Sequence, residues 1–281
     1  MYARGMELPE GKKCAAFITV NLSAEFFWLS LDKKAADMPK TLSLGQYGMS
    51  HGLPRILDLF DEFKIKATFF VPGKTAEVYP EAVKEIADRG HEIACHGYEY
   101  ENLSLFSYEE QRKRIEKAVE AIEKACGRKP EGFRAPMGDL MLETLNIARK
   151  YGMKYSSDLF DDDRPYFMSV NEDGDEILQI PMQWANFDFP YFAFNCRPAF
   201  PFGQGRVANY SNVLSNWKDE FTGHYNHNLC YTMQLDTQTI GSPGRSALVK
   251  EFFEYMTAHE NVWFVTGNDL YDFCQKENRR R

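Results

Sequence analysis

The stretch LPRILDLFDEFKIKATFFVPGKTAEVYPEAVKEIADRGHEIAC (53–95) decides the fold. Leu53, Ile56, Leu57 and Phe60 stand at i, i+3, i+4 and i+7, the spacing of one helical face. ATFFV (67–71) is a short apolar run of aromatic and β-branched residues, which reads as a buried strand. PEAVKEIADRG (80–90) returns to helical spacing and stops at Gly90, and EIAC (92–95) is strand again. Helix and strand alternating at this rhythm make βα units on a parallel sheet. Strands that are apolar without in/out alternation are buried on both faces.

The same alternation extends in both directions. AAFITV (15–20), ILQIP (177–181), LCYTM (229–233) and VWFVT (262–266) read as strands, and residues 107–127, 140–152, 213–221 and 246–259 as helices. A single α/β domain spanning 1–281 is expected, built as a barrel of about seven to eight parallel strands. Residues 29–51 and the aromatic, Pro/Gly-rich 184–210 carry neither period and are expected to be long functional or interface-forming loops.

Composition removes several classes of function. With 44% hydrophobic residues among 281, the chain can bury a core, so disorder is excluded as its main state. Lys plus Arg number 33 against 41 Asp plus Glu, a net charge of −8, and the basic runs are as short as Arg279-Arg280-Arg281. Nucleic acid is therefore not an expected partner, because neutralising phosphates needs a cationic face. The longest apolar runs fall far short of the ~20 residues of a membrane span, and MYARGMELPEGKK (1–13) has no signal-peptide core. No membrane partner and a cytoplasmic location are expected. Six scattered cysteines without a Cys-x-x-Cys pair read as buried reduced thiols.

In such a barrel the C-terminal strand ends converge on one site. That rule selects Asn21, Ser23 and Glu25 after the first strand, His96 to Tyr100 after the third, Arg134 before Ala135-Pro136, Asp158, and Asp236 on a late strand. The Asp161-Asp162-Asp163 run reads mainly as an exposed turn. Trp184 and the aromatics at 187–194 read as core packing or as the lining of a pocket for a flat ring.

GHEIACHGYEYENLS (90–104), GRKPEGFRAPMGDL (127–140) and TIGSPGRSALVKEFFEYMTAHENVWFVTG (239–267) resemble the polysaccharide deacetylase (NodB-homology) family. They are most similar to the branch holding peptidoglycan deacetylase-like proteins, cyclic imide hydrolases and metal-independent allantoinases. The resemblance implies an incomplete (β/α) barrel. It places Asn21 and Ser23 at the family's Asp-x-Asp pair, and His96 and Tyr100 at its two metal histidines. Asp236 falls at its late acidic histidine and Ser156 at the aspartate that braces the retained Arg134.

A catalytic divalent metal takes about three protein ligands, and these positions offer one good ligand, His96. No cofactor is therefore expected, with an atypical divalent metal as the alternative. Asn21 is an amide and cannot act as a base. The expected activity is hydrolysis of a non-peptide carbon–nitrogen bond by metal-independent ring opening of a cyclic amide, imide or ureide. A metal-dependent polysaccharide or peptidoglycan N-deacetylase and a silent, ligand-binding relative are the competing readings. In the expected reaction His96 and Arg134 stabilise the oxyanion, while Glu25 or Asp236 activates water and protonates the departing nitrogen. Asn21, Ser23, Tyr100, Asp158 and Trp184 contact the small-molecule substrate. The branch also implies a homo-oligomer, with 29–51 as a contact segment.

Overall fold

The computed structural model describes residues 5–201 and 207–279. Residues 202–206 of the aromatic 184–210 stretch, and Arg280 and Arg281 of the terminal arginine run, lie outside the described residues.

The first strand, β1 (Cys14–Asn21), is buried from end to end. Ala16, Ile18 and Val20 face the helices, while Ala15 and Phe17 join Phe70, Ala94, Tyr155 and Leu178 inside the curled sheet. Both faces are dry, which is why the strand sequence does not alternate.

From β1 the chain runs α1 (Phe26–Leu31), α2 (Pro39–Tyr47), α3 (Leu53–Phe63), β2 (Thr68–Val71), α4 (Gly73–Val78), α5 (Pro80–Asp88), β3 (Glu92–Cys95), α6 (Tyr108–Cys126) and β4 (Gly132–Phe133). It continues with α7 (Leu142–Lys150), β5 (Tyr155–Ser156), β6 (Tyr166–Ser169), β7 (Glu176–Gln179), α8 (Phe189–Phe192), β8 (Asn195–Cys196) and β9 (Ala199–Phe200). Last come α9 (Tyr210–Asn226), β10 (Cys230–Asp236), α10 (Thr237–Ile240), α11 (Pro243–Thr257), β11 (Val262–Val265) and α12 (Gly267–Asn278).

The main sheet has the order β10-β1-β2-β3-β4-β5-β7-β6, with β11 against the first half of β1. Every pairing is parallel except β6 with β7. β10 and β6 end the order without meeting, so the barrel is incomplete. Among the described residues no helix is long and apolar enough to cross a membrane.

Three expectations are corrected. Residues 29–51 are helical: the end of α1, a 3-10 turn (Lys33–Asp37), α2, and a π-helical turn (Gly48–Gly52) that runs into α3. Their packing face is made of glycines rather than an apolar stripe. A Cβ on Gly45 would sit 2.3 Å from the Glu25 nitrogen, and one on Gly52 would sit 2.1 Å from the Thr237 carbonyl oxygen. Residues 184–201 likewise form a 3-10 turn (Trp184–Asn186), α8 and the β8–β9 hairpin. Of the cysteines, all of them free, Cys126 is half-buried and Cys196 exposed, against the expectation of burial throughout.

Candidate active site

Register brings the C-terminal strand ends level. Asn21 pairs with Asp236 and Phe70, Val71 with Cys95, Cys95 with Phe133, and Phe133 with Ser156. The residues that follow, His96, Arg134, Ser157 and Asp158, therefore surround one point above the barrel core.

Arg134 is its centre. The side chain is 2% exposed, and its guanidinium lies 3.9 Å from the Phe70 ring centre, as cation–π geometry requires. Nε donates to the Ser157 carbonyl at 2.9 Å, Nη2 to Ser157 Oγ at 2.9 Å, and Nη1 to Thr19 Oγ1 and Asn21 Oδ1 at 3.0 Å each. These acceptors are neutral, so burial lowers the guanidinium pKa to about 10 even though the charge of Asp158 opposes it. Ser156, the expected brace, donates instead to Asp158 Oδ2, and Ser157 holds the arginine.

His96 Nδ1 lies 2.8 Å from the Arg134 carbonyl oxygen. A carbonyl only accepts, so Nδ1 carries the proton and Nε2 is a bare lone pair. Among the described residues Nε2 has no hydrogen-bond partner, and burial drives the imidazole pKa down to about 3. Tyr100 meets the imidazole edge-on at 5.0 Å and sits at φ +64° in the left-handed region. Ser30 holds it there through the Tyr100 carbonyl at 2.7 Å. Burial keeps the Tyr100 phenol protonated, with the charge of Asp236 adding to the effect; Arg134 and a hydrogen bond with Asn21 oppose it.

Asp236 accepts from Ser23 Oγ at 2.9 Å and from the Gln238 amide at 3.0 Å, and burial raises its pKa to about 6. Asp158 accepts from the Ala135 amide at 2.7 Å, and burial raises its pKa as well.

A cavity of about 620 Å³ opens over this group. Asn21, Tyr100, Arg134, Asp139, Asp158 and Gln234 supply its polar lining, under aromatic walls that include Phe27, Phe187 and Phe189. At its mouth Phe160 and Trp184 stack at 4.8 Å, 40% and 63% exposed. A larger groove of about 790 Å³ lies at the opposite strand ends, around Glu92, Glu131 and Asn268, away from the converging side chains.

Of the expected site residues, Asn21, Tyr100, Arg134, Asp158 and Trp184 thus share the cavity. Ser23, His96 and Asp236 are 0%, 1% and 2% exposed and sit behind that lining rather than in it. Glu25 is elsewhere: Ala24 adopts φ +48°, and the Glu25 carboxylate accepts from Tyr79 at 2.9 Å. The turn breaks the alternation that put Glu25 on the face of Asn21. Asp161 pairs with the Tyr166 hydroxyl, and Asp162 caps its own turn, outside the cavity. Gln234 went unnoticed although it stands two residues before Asp236 on the same strand face. Asp188, which accepts the Asp236 amide at 3.0 Å, lies in a stretch with no readable period.

The residues at the family's metal positions do not fit a divalent cation. They are a neutral imidazole, a serine committed to Asp236, an amide and an un-ionised phenol. Among the described residues no group of three His, Cys, Asp or Glu side chains is placed to hold a metal.

A family model described as polysaccharide deacetylase matches residues 39–156. A peptidoglycan deacetylase of Helicobacter pylori is 27% identical over 286 residues, 93% of this chain and 96% of its own. A crystal structure from Mycobacterium smegmatis assigned as a polysaccharide deacetylase is 31% identical with a TM-score of 0.92, covering 99% of this chain and 96% of that one. The structure of Puue allantoinase is 25% identical with a TM-score of 0.79, covering 94% and 91%. Full-length similarity to the Mycobacterium protein, carried on the same open barrel, places this chain in the polysaccharide deacetylase family of carbon–nitrogen hydrolases.

Proposed function

We propose that the chain hydrolyses a non-peptide carbon–nitrogen bond in a flat cyclic amide, imide or ureide, without a metal. The observation that carries this reading is the cavity itself: the Arg134 guanidinium, neutral donors and the Asp158 carboxyl at its floor, aromatic walls, and a donor set unsuited to a divalent cation. A metal normally supplies several kcal/mol of oxyanion stabilisation. Its loss is tolerable when the carbonyl is electrophilic and the nitrogen leaves readily, as in imides and ureides. The allantoinase neighbour supports the same class.

In this reading Arg134, Asn21 and Tyr100 donate to the substrate carbonyl oxygens as negative charge develops. Asp158, the less exposed of the two carboxyls in the lining, takes a proton from the attacking water and returns it to the ring nitrogen as the carbon–nitrogen bond breaks. Burial, with the charge of Asp236 added, keeps the Tyr100 phenol protonated and therefore a donor. A second reading, deacetylation of an N-acetylated amino sugar, is favoured by the Helicobacter relative.

Chelator-treated protein assayed on a panel of cyclic imides, hydantoins and ureides separates the two. Ring opening that survives chelation and does not rise with added zinc, manganese or cobalt is the expected result. Turnover of N-acetylated glycans that stops with chelator would overturn it.

A further inference from the structure

We infer that Asp188 is held as a neutral carboxylic acid, and that it positions both the aromatic wall of the cavity and Asp236. The stretch carrying Asp188 is fastened along the end of β10 like a short extra strand. Phe187 bridges Gln234, the Asp188 amide donates to the Gln234 carbonyl at 3.1 Å, and the Asp236 amide donates to Asp188 Oδ1 at 3.0 Å. Phe187 and Phe189 of the cavity wall flank this latch, and Gln234 of the cavity floor lies on it.

The hydrogen count favours a proton on Asp188. Asp188 is 0% exposed, and its Oδ2 meets Thr239 Oγ1. The same Oγ1 lies 3.0 Å from the Asp236 carbonyl oxygen. Thr239 has one hydroxyl proton, so it can give a full linear hydrogen bond to only one of these two oxygens. If Asp188 is ionised, one of these contacts sets two bare acceptors together in a dry site. If Asp188 carries a proton, Oδ2–H donates to Thr239 Oγ1, Thr239 donates to the Asp236 carbonyl, and both contacts are hydrogen bonds.

The two charged groups facing the site act in opposite directions: the charge of Arg245 lowers the Asp188 pKa, but less than burial and the charge of Asp236 raise it. Asp236 lies on β10, and its charge opposes a second one. Arg245 of α11 spends Nη1 on the Thr239 carbonyl at 2.7 Å and packs its guanidinium 4.9 Å from the Phe192 ring centre. Burial, with the charge of Asp236 added, pushes Asp188 well above the ordinary carboxyl range. The pair thus holds at most one negative charge at neutral pH, and it sits on Asp236. The bearing of Asp188 on catalysis rests on the ring-opening reading; its protonation does not.

Infrared difference spectroscopy of the full chain tests this without an activity assay. At neutral pH, wild type minus Asp188→Asn is expected to show the carbonyl band of a protonated carboxyl. Asn can accept and donate in the same directions as the neutral acid. The titration midpoint of Asp236, read from spectra against Asp236→Asn, is therefore expected to be the same with and without Asp188→Asn. Loss of carboxylate bands only, or a fall of the Asp236 midpoint by about one unit from removal of a neighbouring charge, overturns the inference. Thr239→Val covers a failure of Asp188→Asn to fold. The protonated band should persist and move to higher frequency as its acceptor is lost, and its absence would be equally fatal. A negative ring-opening assay leaves these outcomes untouched.

Discussion

Arg134 has five N–H donors, and the barrel engages four of them. Among the described residues one Nη2–H is left over for a ligand, next to the Asp158 carboxyl. Lysine offers a charge without the planar fork. Arg134→Lys should therefore cost ~2–3 kcal/mol of stability through unpaired buried oxygens and about 10²-fold in kcat/KM. Urea unfolding and steady-state kinetics read the two effects separately. Asp158→Asn tests the proton carrier. The amide keeps an oxygen for the Ala135 N–H, so stability should change little while kcat falls by roughly 10²–10⁴. Unchanged kcat in that variant would remove Asp158 from the mechanism.

At the scale of elements, α2 and the π-helical turn after it show how a helix forms without an apolar stripe. Gly45 and Gly52 let backbone meet backbone around residues 24–25 and 237–241, so contact is made by absence of side chains. This docks α2 directly against the loop that follows β1 and the short helix that follows β10, the two segments that carry Ser23 and Gln238. Gly45→Ala should destabilise by ~2 kcal/mol or more, since the neighbouring atoms are backbone and cannot swing away. Gly223, inside α9 with nothing within 4 Å of its missing Cβ, is the control. Gly223→Ala should gain about 0.5–1 kcal/mol from helix propensity. Thermal melts of the two variants check the contrast; equal shifts would show that the α2 contact is loose.

For the whole molecule, two buried groups give stability opposite slopes with pH. Asp236 is raised from its ordinary 3.8 to about 6, so its contribution is full below 3.8 and lost as pH rises through 6. His96 is lowered from 6.5 to about 3, so its contribution is full above 6.5 and lost as pH falls through 3. The wild-type curve therefore conceals both, and a variant exposes one. Asp236→Asn carries a constant offset from its altered contacts with Ser23 and Gln238. On top of that offset it should gain roughly 3 kcal/mol relative to wild type between about pH 4 and about pH 7. Parallel urea curves across that range would show that Asp236 does not titrate there.

The sequence by itself determined the βα rhythm, because strands dry on both faces and helices with one apolar face leave periods that need no partner to be read. Membership of His96, Arg134 and Asp236 in one neighbourhood was legible for the same reason, since each ends or follows a readable strand. What only the tertiary structure decided are the features set by contacts distant in sequence. Ala24 turns Glu25 onto Tyr79, glycines seat a helix that has no stripe, and Ser157 rather than Ser156 takes the guanidinium. Asp188 joins Asp236 across 48 residues. Local spacing records which face a residue is on; which groups share a proton, and which of them meets a substrate, depends on hydrogen bonds that exist only once the open barrel has folded around them.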